Sequence, residues 1–429
     1  MNISKKVQVS AAALSIGMMM LPALSADATE GYFQNGSGAR HKALAGAGVA
    51  DTRDSTALAI NPAGIIGIDR QLNLGITLFS PRRSFTGSGD PGFTATGNFK
   101  SDSNYFPIPD FSYASPIDEN SAWGIAITAN GGMNTDWAPN PRPLPDCPPL
   151  GGAGAFCGGL SGVNMSQAIL SLTYARKIGN FRVGIAPLLA MNMFRVRGLA
   201  AFGGFSSDPG NLTDRGTDFA FGYGIKVGFQ ADLGEGFRIG GNWQSRIYMS
   251  KFDKYAGLFA EQGDFDIPMN FTLGLAFDAS PKLTIMADYK KIYYSKIASI
   301  ANSPFAPFPF GASNGPGFGW KSIDIFKLGI EYRHSDTWTW RAGFSKNDNP
   351  VGPEAVTINI LAPGIVKTHI TGGFAFKVSE KSTISFAAGY IPSTTVTGPE
   401  GPGGGFNPNH TVSIKMYQME ATIGWTRHF

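Results

Sequence analysis

From about residue 70 onward, apolar side chains alternate with small or polar ones, the pattern of strands that present one greasy face. Phe219, Phe221, Tyr223, Ile225, Val227 and Phe229 are spaced by Ala220, Gly222, Gly224, Lys226 and Gly228. The same split runs through Leu283–Tyr289, Phe326–Tyr332, Ile370–Val378 and Tyr417–Phe429. The alternation predicts fourteen strands, at 70–79, 105–114, 121–130, 163–177, 181–197, 217–231, 237–250, 265–277, 282–297, 320–332, 338–347, 366–377, 382–392 and 412–429. Short connections (115–120, 178–180, 232–236, 278–281, 333–337, 378–381) take turns with long ones, so tight turns share one end and long loops the other. An all-β, up-and-down transmembrane antiparallel barrel has that asymmetry and that even strand count. In hydrocarbon every backbone amide must be paired within the structure, and a sheet achieves this only by closing on itself. The fat faces then point at lipid and the thin faces at a lumen. Trp338, Trp340, Trp425 and Phe429, near strand ends, suit an interfacial girdle.

Two segments stand outside this pattern. Residues 1–28 read as a signal peptide: Lys5 and Lys6, an apolar stretch, then Ala26-Asp27-Ala28 as a small-x-small cleavage site. Residues 29–69 are rich in Gly and Ala without sustained alternation, a poor wall strand but a segment able to fold compactly as a plug inside a lumen. The barrel then occupies 70–429.

The plug carries the runs Gly36-Ser37-Gly38-Ala39-Arg40, Ala45-Gly46-Ala47-Gly48-Val49-Ala50, Asp54-Ser55-Thr56-Ala57 and Asn61-Pro62-Ala63-Gly64. Wall stretches include Ile267-Pro268-Met269-Asn270-Phe271-Thr272-Leu273-Gly274 and Lys327-Leu328-Gly329-Ile330-Glu331-Tyr332-Arg333. In these the chain resembles the FadL/TodX family of outer-membrane transporters for long-chain fatty acids and other hydrophobic compounds. The resemblance implies a bacterial outer-membrane location and passive uptake by surface-loop capture, lumen binding and lateral release through a wall opening. It implies that the turn Asn61, Pro62, Ala63, Gly64 is the hatch gate, packed against an inward kink in the third strand. Gly131 and Gly132 end that strand and have the backbone freedom a kink needs, although they also suit the start of a loop. The closing Phe429 resembles the aromatic that such barrels present to the barrel-assembly machinery. The contrasting expectation is a general diffusion porin or surface adhesin with a fixed structural plug.

Composition adds detail. The 429 residues are only 15% charged, with a formal net charge of +4, too balanced for a nucleic-acid partner. The partners expected are a hydrophobic small molecule and outer-membrane lipid, with the chain itself a monomer. Cys147 and Cys157 flank a Pro/Gly-rich stretch, where an exported chain more readily forms a local disulfide than a metal or catalytic site. Phe202, Phe205, Leu258, Phe259, Phe305, Phe308 and Phe310 sit in the long connections. Apolar side chains on a cell surface need a reason: a capture groove, or packing of loop on loop. Alternation sends Lys226, Arg246, Lys290 and Lys327 toward the lumen beside Asp288, Glu331 and Glu420; a cation there suits a carboxylate-bearing ligand or simply a charged plug. No cofactor or metal motif is present, and the five scattered histidines fit no catalytic spacing, so no enzyme activity is expected.

Overall fold

The computed structural model describes residues 30–142, 147, 152–401 and 407–429; the signal-peptide reading of 1–28 lies outside them. Six tight turns, at 117–120, 179–180, 235–236, 281–282, 334–337 and 380–381, leave no choice but antiparallel pairing of the strands that they join. Fourteen strands form the wall: β1 (Gln71–Gly89), β2 (Phe106–Pro116), β3 (Ser121–Asn134), β4 (Gly162–Ile178), β5 (Phe181–Arg197), β6 (Asp218–Gly234), β7 (Phe237–Gln244), β8 (Asn270–Ser280), β9 (Leu283–Ile292), β10 (Ile323–Arg333), β11 (Trp338–Asn347), β12 (Thr368–Ser379), β13 (Ser382–Pro399) and β14 (His410–His428). Each pairs with its sequence neighbours, and β14 returns to β1 over the register Gln71↔His428 to Gly89↔His410, which closes the ring. Short strands Gly97–Lys100 and Tyr248–Met249 add to the edges of β1 and β6.

The alternation decides which face is which. Leu74, Ile76 and Leu78 on β1, Leu273 and Leu275 on β8, and Phe326, Leu328 and Ile330 on β10 are exposed on the outside of the ring. The residues between them, among them Asn73, Thr77, Thr272, Lys327 and Glu331, are buried inside it. A molecule with an apolar exterior and a polar interior is stable only with lipid around it.

Strand ends differ from the sequence expectation at several places. β1 and β13 run on to Gly89 and Pro399, beyond the expected ends at 79 and 392. Their outer positions Ser84, Thr86 and Thr395 carry no apolar face, so the period-two signal fades while main-chain pairing with β14 continues. In contrast, β7 stops at Gln244 rather than 250.

The segment from Glu30 to the start of β1 lies within the ring as helix α1 (Gly38–Ala43), helix α2 (Ala57–Ile60) and a 3-10 turn over Pro62–Ile65. Its small residues let it meet the wall's thin face at backbone distance. At Gly184 of β5, for example, a Cβ would overlap the main chain of Pro62 and Ala63.

Lipid contact on β10 is testable. Leu328→Lys places a charge on a side chain 53% exposed on the outer face, and should destabilise the folded barrel by about 2–4 kcal/mol near mid-bilayer. Denaturant titration in phosphocholine vesicles measures this, and Glu380→Lys in a tight turn should leave the midpoint unchanged.

Candidate binding site at the wall gap

β3 stays with β2 only from Pro116↔Ala122 to Phe111↔Ile127. β2 itself continues along β1 up to Phe79↔Phe106. Residues 128–134 therefore leave β2 and bend inward while holding β4 as far as Asn134↔Asn164, with a register shift between Ala129 and Gly131. Gly131 sits at φ 155°, a conformation that side-chain-bearing residues rarely adopt. The result is a break in the wall between β2 and β3. Phe79, Phe106, Ile108 and Ala129 cluster at it.

A broken ladder leaves unpaired amides, and in this position they need partners. The first described residues of the chain supply them. Gly132 N donates to Tyr32 O at 2.9 Å and Gln34 N to Asn130 O at 3.0 Å, Phe33 bridges Gly131, and the Gln34 amide donates to the Ala129 carbonyl. Tyr32 and Phe33 are buried against Tyr294, and Tyr32 also meets Trp320. The gap is thus stoppered by residues 30–34. The turn Asn61, Pro62, Ala63, Gly64 is elsewhere, against β5 and β6 at Gly184 and Gly228, which corrects the expectation that it packs on the kink. Residues 35–60 wind through two short helices and bring the turn to β5 and β6, beside the kinked strand rather than onto its kink. At its actual place Asn61 donates to Val49 O (2.8 Å) and Phe229 O (2.9 Å) and accepts from Ala63 N (3.0 Å), tying the hatch to itself and to β6.

Inside the gap lies a lumen cavity of about 90 Å³, lined by Phe33, Asn35, Leu58, Ala129, Ile169 and Leu188 with Lys226, Lys290 and Lys327. Two of these cations share one carboxylate, since Glu30 pairs with Lys290 at 2.7 Å and Lys327 at 2.6 Å. Burial pushes the Glu30 carboxyl up, but Lys290 and Lys327 outweigh it and hold it below its usual 4.5. What these pairs contribute is therefore fully present above pH 4.5 and disappears only as pH falls through the lowered value. Lys226 donates to Ala59 O at 2.7 Å, and among the described residues no carboxylate pairs with it. Arg246 is not a lumen residue. It follows the end of β7 and pairs with Asp264 (3.4 Å) and Asp266 over the ring of Tyr248, because the alternation that placed it inward ends at Gln244.

The rest of the hatch is bolted down by charge. Glu331 on β10 receives Arg40 (2.9 Å), Arg53 (3.2 Å) and Arg341 (2.7 Å), and Asp51 receives Arg40 (2.8 Å), Arg53 (2.8 Å) and Arg238 (3.3 Å). Lys42 reaches Glu420 at 2.8 Å, and Asp288 accepts from Gly48 N and Val49 N. His41 stays neutral beside them, its imidazole held down to about 4 by burial and then by Arg40. Glu30, Tyr32 and Phe33 were not foreseen from sequence; an acid and two aromatics at the start of the Gly- and Ala-rich segment were the available clue.

At the loop end, Phe202 and Phe259 are buried and Leu258 and Phe310 half-buried in an apolar cluster with Phe252, Tyr255 and Trp320; Phe305 is half-buried outside it. Phe205 and Phe308 remain 53% and 47% exposed. Cys147 and Cys157 are joined as a disulfide within the same end. Phe429 is exposed where the chain finishes, its N–H on Arg70 O.

A closed, lipid-facing ring with its own amino-terminal segment inside and one break in its side defines a plugged outer-membrane channel. The chain belongs to the family described as outer membrane protein transport protein (OMPP1/FadL/TodX), whose pattern matches residues 24–144 and 162–423. That family consists of outer-membrane transport channels, not enzymes. The chain is 23% identical over 439 residues to a long-chain fatty acid transport protein of Escherichia coli strain K12, covering 92% of this chain and 94% of the relative. It is 22% identical over 432 residues to one of Salmonella typhi, at 92% and 93% coverage. Among solved structures it resembles the Pseudomonas putida toluene transporter TodX (TM-score 0.68, 15% identity, 94% and 100% coverage) and a Pseudomonas aeruginosa FadL homologue (TM-score 0.66, 14% identity, 93% and 100% coverage).

The two kinds of hatch anchor should differ in weight. Glu331→Gln leaves three guanidiniums around one neutral amide, an uncompensated buried charge worth about 3–5 kcal/mol. Asn61→Ala orphans hydrogen-bonding groups worth about 1–3 kcal/mol. Single-channel recording in planar bilayers should therefore show frequent leak openings for Glu331→Gln and rarer ones for Asn61→Ala.

Proposed function

We propose that this channel carries hydrophobic compounds inward across the outer membrane without an energy source, releasing them sideways through the break between β2 and β3. The observation that carries this reading is the gap itself, lined by Phe79, Phe106, Ile108 and Ala129 and stoppered by a short peptide rather than by wall. An apolar solute that leaves through it enters lipid directly and is spared the hydration cost of a water-filled exit. The relatives named as long-chain fatty acid transport proteins and the structural likeness to a toluene transporter support the same class of cargo. Exposed Phe205 and Phe308, on the loop cluster, are the first contact; the lumen cavity beside Lys226 is the holding site.

The moving part is residues 30–34. Hydrogen bonds to residues 129–132 and to Tyr294, aromatic contacts of Tyr32 and Phe33, and the ion pairs of Glu30 hold them, whereas the remainder of the hatch is fastened by the Glu331, Asp51 and Glu420 clusters. Opening the stopper leaves those clusters in place. The chain acts as a monomer in contact with outer-membrane lipid, and Phe429 is the terminal aromatic offered to the barrel-assembly machinery.

Ala129→Phe tests the exit by filling it from the kink side. In cells lacking other routes, uptake of radiolabelled oleate and toluene should fall roughly tenfold, the effect of about 1.4 kcal/mol of added barrier, while the barrel still shows heat-modifiable migration. Unchanged uptake of both compounds would rule out the sideways route.

A further inference from the structure

The inner face of β1 changes character along its length. Asn73 and Thr77 face the hatch, but above them come Phe79, Pro81 and Phe85, and among these apolar groups sits one guanidinium, Arg83. It is 4% exposed and lies over the ring of Phe106 at 5.5 Å, on the outer side of the wall gap. Its Nη2 donates to the Ser103 carbonyl, Ser101 Oγ (3.3 Å) and Ser103 Oγ (3.4 Å). Its Nε has no partner, and among the described residues no carboxylate pairs with it. The carboxylate that acts on it from nearby, Asp136, is itself paired with Arg197 at 3.1 Å.

Arg40 and Arg341, the guanidiniums buried between hatch and wall, are by contrast each paired with a carboxylate. A buried cation without a counter-ion is costly, by several kcal/mol when its pairing is incomplete. Such a group persists where a ligand supplies the charge. The surroundings say what else that ligand carries. Arg83 lines a small cleft with Phe79, Pro81, Met133, Ala362 and Met416, so the groups on one side of the guanidinium are apolar. On the other side, behind Ser103 and Asn134, a hollow of about 140 Å³ carries Arg195 and Arg197 against the single carboxylate Asp136.

Resting on the transport reading above, we infer that Arg83 is an anion-receiving site at the mouth of the wall gap, taking the carboxylate of an amphipathic cargo whose tail lies over Phe79, Met133 and Met416. Ser103, in a half-buried link between short strand and β2, occupies the place of that carboxylate in the unloaded channel. A guanidinium accepts a carboxylate in two parallel hydrogen bonds, which a hydroxyl cannot imitate. Arg83 therefore makes the exit selective for acids over neutral chains of equal length.

The test compares oleate with oleyl alcohol, which share the tail and differ in the head group. Binding to wild-type protein, Arg83→Gln and Arg83→Lys is measured in nanodiscs. Arg83→Gln should weaken oleate about tenfold, the loss of one charge-assisted contact, and leave oleyl alcohol unchanged; Arg83→Lys should retain part of the oleate preference. Equal weakening of both ligands, or of neither, overturns the site while leaving transport intact, because wild-type uptake of both chains is scored separately in cells. Wild-type cells that take up neither chain would overturn the transport reading and the site with it.

Discussion

The structure depends on one requirement: no main-chain amide can be left unpaired in hydrocarbon. Ring closure of β14 on β1 follows from it, and so does the absence of free edges around most of the wall. The same requirement governs the exception. β3 can part from β2 only because another stretch of chain takes over the abandoned hydrogen-bonding groups, and residues 30–34 are that stretch. Gap and stopper are two halves of one arrangement, since neither leaves its amides satisfied without the other.

Inside the ring two forces act. Apolar contacts seat Leu44 and Ala47 on Met286 and Leu58, Ile65 and Ile66 on Ala122 and Ala126, and charge fixes the rest of the hatch. Arg40, Arg53, Arg238 and Arg341 converge on Asp51 and Glu331, and Lys42 on Glu420. Each partner makes sense only with the others, since losing one carboxylate strands several guanidiniums at low dielectric. Glu30 belongs to the same scheme at the stopper, where a single acid is shared by Lys290 and Lys327. The hatch is thus fixed by several carboxylates, and the stopper beside the gap by one.

The wall was legible in the sequence because lipid imposes strict period-two patterning; Phe219, Phe221 and Tyr223 are outward as their spacing indicates. The pattern failed where lipid ends. Ser84 and Thr86 continue β1 without a greasy face, and Arg246 lies past the last paired residue of β7. The kink could be located at Gly131 and Gly132, but its occupant could not, since which of two hatch segments reaches β3 depends on the path of residues 35–60 through space. The same holds for Phe202 and Phe259: loop aromatics look alike in sequence, and only the fold separates the two that are buried from Phe205 and Phe308. Arg83 was invisible for the plainest reason, that a lack of counter-ion is a property of surroundings.

The hatch's partners lie far along the chain: Arg40 meets Glu331 across 291 positions and Lys42 meets Glu420 across 378. Ribosomes make the amino end first, yet its anchors exist only after the last strand is laid down. Until then Arg40, Lys42 and Arg53 lack the wall carboxylates Glu331 and Glu420, and the stretch has nowhere to settle. Native topology of this kind, dominated by distant pairings, implies slow maturation, and the final step would be the sealing of the β1–β14 seam around an already enclosed amino terminus.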